Sequence, residues 1–329
     1  MSLQESTIVK KVYTSLSLLS PVSFSPKIRN AFIELTNNCN LRCKMCFGGR
    51  RPKGFMDFTL FKKIMDELST IHVDWIALHY GGESLLHPKF KDMLIYAHKK
   101  IGDYSKIGWQ TNGMLFNEKI AELVVDLGID FVGFSVDGLG NVNDSIRKGA
   151  SYATVENNIL RLLEIRGDSL KPNVYLNLTN TGQGRAKIDA FVKYWIEKVD
   201  WVTENPSINE FLQVQSLRNY YKGSLVTTNK KCYSPFSTMG IFWNGDVVGC
   251  CRDINGTDVM GNVKRKGVKA VWQSPKIKAL RKACLQNKFP KNSPCRLCDV
   301  WKTRFVPFKT FDDDMLIEYD EQTIKYSKR

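Results

Sequence analysis

An α/β fold is predicted for this 329-residue chain, and the main reason is an alternation of short apolar runs with longer segments of helical period. The alternation repeats six times, and strands separated by helices pair in parallel through right-handed crossovers. Six strands fall short of the eight of a full TIM-type barrel, so the expected architecture is a partial (β/α)6 barrel. After about residue 222 the pattern changes, which places a small β-hairpin and helix unit behind the barrel.

The strands are expected at 32–35, 75–79, 106–110, 131–136, 174–179 and 211–214. Helices are expected between them, at 57–69, 88–101, 118–127, 154–166 and 186–197. Ahead of the first strand, residues 1–30 read as a lead-in, with an amphipathic stretch at 8–19 and a Ser/Pro-rich piece ending at Pro26. The barrel then spans 31–222 and the second unit 223–301, while 302–329 read as a polar, charged tail. In the second unit, 239–243 and 246–250 flank Asn244-Gly245, the strongest two-residue hairpin signal. A helix at 268–285 and a Pro/Cys-rich loop at 290–298 follow. No internal repeat is present.

Hydrophobic residues make up 43%, enough to bury a substantial core and to exclude a disordered chain. No segment reads as a signal peptide and no apolar run approaches a membrane span, so a cytoplasmic protein without a membrane partner is expected. Nine cysteines in a large chain of that kind point to metal or redox chemistry rather than to disulfides. The formal net charge of +15 favours anionic partners, a phosphorylated substrate among them. The basic residues lie in short clusters such as Lys99-Lys100 and Lys264-Arg265-Lys266, which read as solvated surface.

The first strand runs into a loop carrying Cys39, Cys43 and Cys46, at i, i+4 and i+7. Thiolates bind soft metals, and one short loop can wrap three of them around a corner of an iron–sulfur cluster. Zinc would want a fourth protein ligand, and none lies nearby in sequence. At the end of the second strand stands His79-Tyr80-Gly81-Gly82-Glu83-Ser84, where glycines admit a ligand to the backbone and a carboxylate can meet an ammonium group. Thr111-Asn112-Gly113 follows the third strand and Ser135-Val136-Asp137-Gly138 the fourth, with Arg147 shortly after. A second cysteine set comprises Cys232 and Cys250, which bracket the hairpin, and the pair Cys295 and Cys298. Four thiolates complete either an iron–sulfur cluster or a zinc site. Cys251, next to Cys250 on a strand, is expected to face the other way. Cys284 falls in a helix pattern and is expected in the core, and none of the four histidines has ligand spacing, although His79 and His87 flank the Gly-Gly-Glu loop.

The C-x3-C-x2-C loop and the Gly-Gly-Glu after the next strand resemble the signatures of the radical S-adenosylmethionine (radical SAM) superfamily. The resemblance covers about 30–215, and that of 230–300 is to the "twitch", or reduced SPASM, domain with one auxiliary cluster. It implies a [4Fe-4S] cluster on Cys39, Cys43 and Cys46 whose open iron binds S-adenosylmethionine, and an auxiliary [4Fe-4S] cluster on Cys232, Cys250, Cys295 and Cys298. It further implies that Gly81, Gly82 and Glu83 receive the amino group of S-adenosylmethionine, that Ser135 and Asp137 touch its ribose, and that Arg147 pairs with its carboxylate. The family often has Pro where this chain has Ser84. The implied activity is cleavage of S-adenosylmethionine to a 5′-deoxyadenosyl radical that abstracts hydrogen from a C–H bond, with a reducing partner such as flavodoxin or ferredoxin. A small sugar- or aminocyclitol-like substrate, oxidised through the auxiliary cluster, is the leading expectation. An epimerase with Cys251 as hydrogen-atom donor and a peptide-modifying enzyme are the alternatives. A zinc-dependent nucleic-acid-binding protein is the remote one, opposed by the first cysteine triad.

Overall fold

The computed structural model describes residues 26–46, 50–206, 225–227, 231–291, 293–296, 298, 303–305, 308–312, 314–319 and 323–328. The amphipathic stretch expected at 8–19 and the strand expected at 211–214 lie outside the described residues. Strands β1 (Asn30–Ile33), β2 (Trp75–Ala77), β3 (Lys106–Thr111), β4 (Phe131–Ser135), β5 (Asn173–Asn180) and β6 (Trp201–Pro206) pair in parallel in that order. Helices α1 (Phe58–Ser69), α2 (Phe90–Ile101), α3 (Glu118–Asp126), α4 (Asn141–Ile146), α5 (Tyr152–Arg166) and α6 (Arg185–Ile196) fall between them.

The helices form where the apolar period and the caps agree. In α1, Leu60, Phe61, Ile64, Met65 and Leu68 are buried on one face, and the Asp57 carboxylate accepts the N–H groups of Thr59 and Leu60. Asn117 and Ser151 cap α3 and α5 in the same way. Strand faces alternate: in β5 the even-numbered residues are buried beneath helices and the odd-numbered ones are half-buried.

The sixth parallel strand is 201–206, which carries Glu204 and Asn205 and so lacks an apolar signature. Glu204 is fully buried, yet it accepts hydrogen bonds from Asn180 Nδ2 at 2.9 Å and Tyr326 Oη at 2.7 Å and pairs with Arg185 at 3.0 Å. Those partners come from the β5–α6 junction and from the C-terminal strand, 19 to 122 residues away, which is why the strand is invisible locally.

β7 (Leu225–Thr227) pairs with β11 (Thr303–Phe305). The expected hairpin is present, with β8 (Thr238–Ile241) and β9 (Asp246–Val248) joined through Asn244-Gly245 and extended by β10 (Val259–Asn262). Its first strand, β8, is hydrogen-bonded in parallel to β1, so the hairpin prolongs the barrel sheet. The expected helix at 268–285 is two, α7 (Val268–Trp272) and α8 (Pro275–Gln286), because Ser274 caps and Pro275 starts a new helix. The stretch 302–329, read from sequence as a charged tail, instead supplies β12 (Phe308–Asp312), β13 (Met315–Tyr319) and β14 (Ile324–Lys328), with β14 antiparallel to β6. Ile324 and Tyr326 are buried while the lysines beside them face out, a half-buried pattern that charge conceals. The result is one twelve-stranded sheet, β10-β9-β8-β1-β2-β3-β4-β5-β6-β14-β13-β12.

Candidate active site

The cysteine loop leaves β1 and is tied down on both sides. Thr36 Oγ1 donates to the Gly54 carbonyl at 2.6 Å, Asn37 Nδ2 to Pro52 at 2.8 Å, and Gly54 N–H to Asn37 Oδ1 at 2.9 Å. Along the other flank, Arg42 and Lys44 donate their N–H groups to the carbonyls of Lys148 and Ile146, each at 2.9 Å. Within the loop, Cys46 N–H reaches the Cys43 carbonyl at 3.1 Å and Leu41 N–H approaches Cys39 Sγ at 3.4 Å. Cys39 and Cys43 are half-buried and Cys46 exposed. The three thiols lie within electrostatic range of one another; burial pushes Cys39 and Cys43 up, and Arg147 opposes that at Cys43. Among the described residues no three His, Cys, Asp or Glu side chains crowd closely enough for one metal ion. A cube binds each thiolate at a separate corner, so three spaced thiols on a braced loop, with N–H donors near sulfur, fit that group better than a mononuclear site.

The Gly-Gly-Glu loop lies directly on this one. Gly82 has φ +87°, and a Cβ there would stand 2.5 Å from the Asn38 carbonyl oxygen, so only glycine fits. Glu83 N–H donates to that same carbonyl at 2.7 Å. The Glu83 carboxylate is buried and accepts Leu85 N–H at 3.2 Å, Thr111 Oγ1 at 2.9 Å and Asn112 N–H at 2.7 Å. Burial pushes its pKa up against those donors. It braces the loop to the end of β3, and Asn112 in turn binds Asn40 Oδ1 at 2.8 Å. Ser84 donates to the Leu78 carbonyl at 2.7 Å, which closes the turn in place of the family's proline.

Asp137 and Arg147, which the resemblance assigns to two ends of S-adenosylmethionine, form an ion pair with each other, Arg147 Nε to Asp137 Oδ2 at 2.8 Å. Neither of these two buried atoms has another partner. Asp137 Oδ1 accepts Thr179 N–H at 2.7 Å. Burial raises the Asp137 pKa and Arg147 draws it down. Two buried polar atoms meeting imperfectly, beside Cys43, are what a polar ligand would complete.

Inside the barrel the inward residues line a cavity of about 420 Å³. Its lining includes the rings of Phe32, Trp75, Phe131, Tyr175 and Trp201, and the uncharged polar groups of Asn30, His79, Gln110, Asn177, Thr203 and Asn205; no Lys, Arg, Asp or Glu is among the lining residues. Tyr175 and Trp201 stack at 5.1 Å. Gln110 Nε2 donates to Ser135 Oγ at 2.6 Å, and Asn205 donates to Asn177. Gln110 N–H donates to His79 Nδ1 at 3.0 Å, which places the ring proton on Nε2. Burial drives the His79 pKa down to about 4, so the imidazole is a neutral donor at pH 7. His87 instead bonds the Met56 carbonyl and stays structural.

The second cysteine set is assembled from separate segments. Cys232, Cys250 and Cys295 lie in each other's electrostatic field, with Cys298 beside Cys295, and burial pushes Cys295 up to about 12. Cys284, expected in the core, is fully buried on α8, but its thiol bonds toward Cys232, so it adjoins this set. Cys250 and Cys251 do not face opposite ways. They follow the end of β9 in a turn, where strand alternation no longer holds, and their thiols lie close enough to shift each other's titration, Cys250 down and Cys251 up.

Three residues escaped the sequence reading. Glu34, fully buried, accepts Arg51 Nη1 at 2.9 Å and Nη2 at 2.5 Å, with Gly81 N–H and Trp243 N–H each at 3.3 Å. Arg51 Nε donates to the Ile254 carbonyl at 2.8 Å, and its guanidinium lies 3.6 Å above Phe242. Tyr80 Oη donates to the Cys250 carbonyl at 2.8 Å. The available signal was a carboxylate closing the apolar run Ala31-Phe32-Ile33.

Two family models match the chain: the radical SAM superfamily over residues 33–193, and the SPASM iron–sulfur cluster-binding domain over 232–299. A tungsten-containing aldehyde ferredoxin oxidoreductase cofactor-modifying protein of Pyrococcus furiosus is 26% identical over 83% of this chain and 89% of its own. An S-adenosyl-L-methionine-dependent 2-deoxy-scyllo-inosamine dehydrogenase of Niallia circulans is 24% identical over 81% and 91%. The subtilosin biosynthesis protein AlbA of Bacillus subtilis is 32% identical, over 43% of this chain and 32% of its own. Among solved structures, Streptococcus suis SuiB with its precursor peptide superposes with TM-score 0.67 at 17% identity, covering 91% of this chain and 74% of that one. BtrN in complex with AdoMet and 2-DOIA gives 0.51 at 19%, covering 78% and 87%. No helix among the described residues is long and apolar enough to cross a membrane. With the cysteine loop, the glycine-braced turn on top of it and a second thiol cluster at the far edge of the sheet, the chain belongs to the radical SAM superfamily and carries a SPASM-type domain for an auxiliary iron–sulfur cluster.

Proposed function

We propose that this enzyme oxidises a small, uncharged, hydroxyl-bearing substrate held inside the barrel, with a carbon-bound hydrogen abstracted as an atom, the electron left on the substrate passed to the auxiliary cluster and the hydroxyl proton released to water. The observation that carries this is the cavity lining: aromatic faces for ring C–H groups, neutral amides and one neutral imidazole for hydroxyls, with no cation among the described lining residues. The 2-deoxy-scyllo-inosamine dehydrogenase aligns over most of both chains, whereas AlbA, the sporulation killing factor maturation protein SkfB, Fe-coproporphyrin III synthase and pre-heme d1 synthase align over about a third of their own length.

In this reading Cys39, Cys43 and Cys46 hold the first cluster, and Cys232, Cys250, Cys295 and Cys298 the auxiliary one. S-adenosylmethionine, when bound, supplies a hydrogen-abstracting carbon radical. The protein's part is orientation and shielding. Gly82 lets the loop close on the cysteines, Glu83 fixes that loop to β3, and Arg147 with Asp137 awaits a polar ligand. His79 Nε2–H and Gln110 orient a substrate hydroxyl.

The test is anaerobic incubation of reconstituted enzyme with S-adenosylmethionine and a panel of neutral sugars and cyclitols. A 5′-deoxyadenosine yield matched by a product two hydrogens lighter supports the reading. A product of unchanged mass, epimerised and carrying solvent deuterium, replaces it with epimerisation, and loss of that label in Cys251→Ala then identifies Cys251 as donor.

A further inference from the structure

The two cysteine sites are joined by an unusually complete set of contacts between loops distant in sequence. Tyr80 sits in the Gly-Gly-Glu loop, and its hydroxyl is bonded to the carbonyl of Cys250. Its ring lies against Phe242 at 5.3 Å and Phe32 at 6.3 Å, over a residue with no side chain: a Cβ at Gly240 would meet the Tyr80 ring at 2.6 Å. One residue on, Gly81 N–H points to Glu34, the carboxylate that Arg51 grips with both terminal nitrogens. Arg51 leaves the cysteine loop and donates its Nε–H to the Ile254 carbonyl, in the turn that carries Cys250 and Cys251. Trp243 completes the joint, its Nε1–H donating to Pro52 at 3.3 Å. Every polar group here is satisfied only when the 250–254 turn, the 80–83 loop and the exit of the cysteine loop hold one arrangement.

We propose that Tyr80 and the Arg51–Glu34 pair are positioning residues that couple the two sites, so that filling the auxiliary site tightens S-adenosylmethionine binding at the first. Metal on Cys250 orders the 250–254 turn; Tyr80 and Arg51 pass that order to Gly81–Glu83. The same coupling runs backwards, because a binding coupling between sites is reciprocal. The inference rests on the assignment of the two cysteine sets to clusters and of the Gly-Gly-Glu loop to S-adenosylmethionine. It is independent of which substrate is oxidised.

The test is a double-mutant cycle on reconstituted enzyme. The readout is the Kd for S-adenosylmethionine, titrated by the change it makes in the electron paramagnetic resonance spectrum of the reduced first cluster. The proteins are wild type, Tyr80→Phe, Cys295→Ala/Cys298→Ala, and the combination, each first shown to retain the first cluster by iron content. Removing the auxiliary site is expected to weaken binding by at least about fivefold. Tyr80→Phe, which keeps the ring and loses only the hydroxyl, is expected to weaken it comparably. The combination is expected to be no weaker than the cysteine variant alone, the sign of one shared pathway. Factors that multiply independently, or a cysteine variant that binds as tightly as wild type, overturn the proposal. Arg51→Lys keeps the charge on Glu34 and loses the fork; it is expected to repeat the non-additivity, and independence there would also count against coupling. A wild type that binds no S-adenosylmethionine overturns the parent assignment and this inference together, whereas independent effects in a wild type that binds it overturn this inference alone.

Discussion

Cys39, Cys43 and Cys46 lie in one loop whose backbone is pinned on both flanks, whereas Cys232, Cys250, Cys295 and Cys298 come from three segments that only the tertiary structure brings together. The first site is therefore a local object and the second a tertiary one. The local site depends on backbone geometry at a few positions, Gly82 above all. The assembled site depends on contacts such as Tyr80 to Cys250 and Arg51 to Ile254, which fix one segment against another.

The largest effect that would sharpen this contrast is in metal content. Reconstituted wild type is expected to hold about eight irons, and the Cys295→Ala/Cys298→Ala variant about four. Loss of all iron in that variant would show that the two sites do not form separately. Next comes Gly82→Ala, which forces a side chain into left-handed backbone 2.5 Å from a carbonyl oxygen. It is expected to cost about 3 kcal/mol in thermal unfolding and to abolish S-adenosylmethionine binding. A stable variant that still binds would mean that the loop can move away from the cysteines.

His79→Gln probes the cavity instead of either cluster. A roughly tenfold rise in KM with kcat nearly unchanged is expected from loss of one hydroxyl contact. The same variant has a pH signature. Burial depresses the folded-state pKa of His79 to about 4, so between the ordinary histidine value and 4 the unfolded chain takes up a proton that the folded chain refuses. Wild-type stability should fall as pH drops through that window, and the glutamine variant should fall less steeply. The smallest effect is expected for Asp57→Ala, which removes the cap of α1, the helix whose Glu67 accepts Val268 N–H from the second unit. About 1 kcal/mol should be lost at neutral pH. The Asp57 pKa is held below its usual value, chiefly by the N–H groups of Leu60 and Thr59, so its contribution is present above about pH 4 and fades as pH falls through the lowered value. The difference between wild type and variant should shrink in step.

What the sequence disclosed divides along the same line. The triad spacing, the Gly-Gly-Glu turn, five of the six barrel strands and the Asn244-Gly245 hairpin are short-range patterns, and each is legible in a window of a few residues. β6 was missed because its buried carboxylate has no local partner, and β14 because lysines flank its two buried residues. The Glu34–Arg51 joint depends on four segments that no periodicity connects. The Asp137–Arg147 pair shows the complementary limit: the resemblance assigns the two residues to different parts of S-adenosylmethionine, whereas in the fold they pair with each other.

Because β8 runs alongside β1 with Asn30 through Ile33 opposite Thr238 through Ile241, the auxiliary unit is not an appendage that can be cut away. Ending the chain near residue 222 would strip one side of β1 and leave its N–H and C=O groups facing water beside a row of apolar side chains. Such an edge recruits other copies. A shortened barrel of this kind should emerge as inclusion bodies rather than as a simpler catalyst, and exchanging the cluster unit between relatives would require carrying β1 with it.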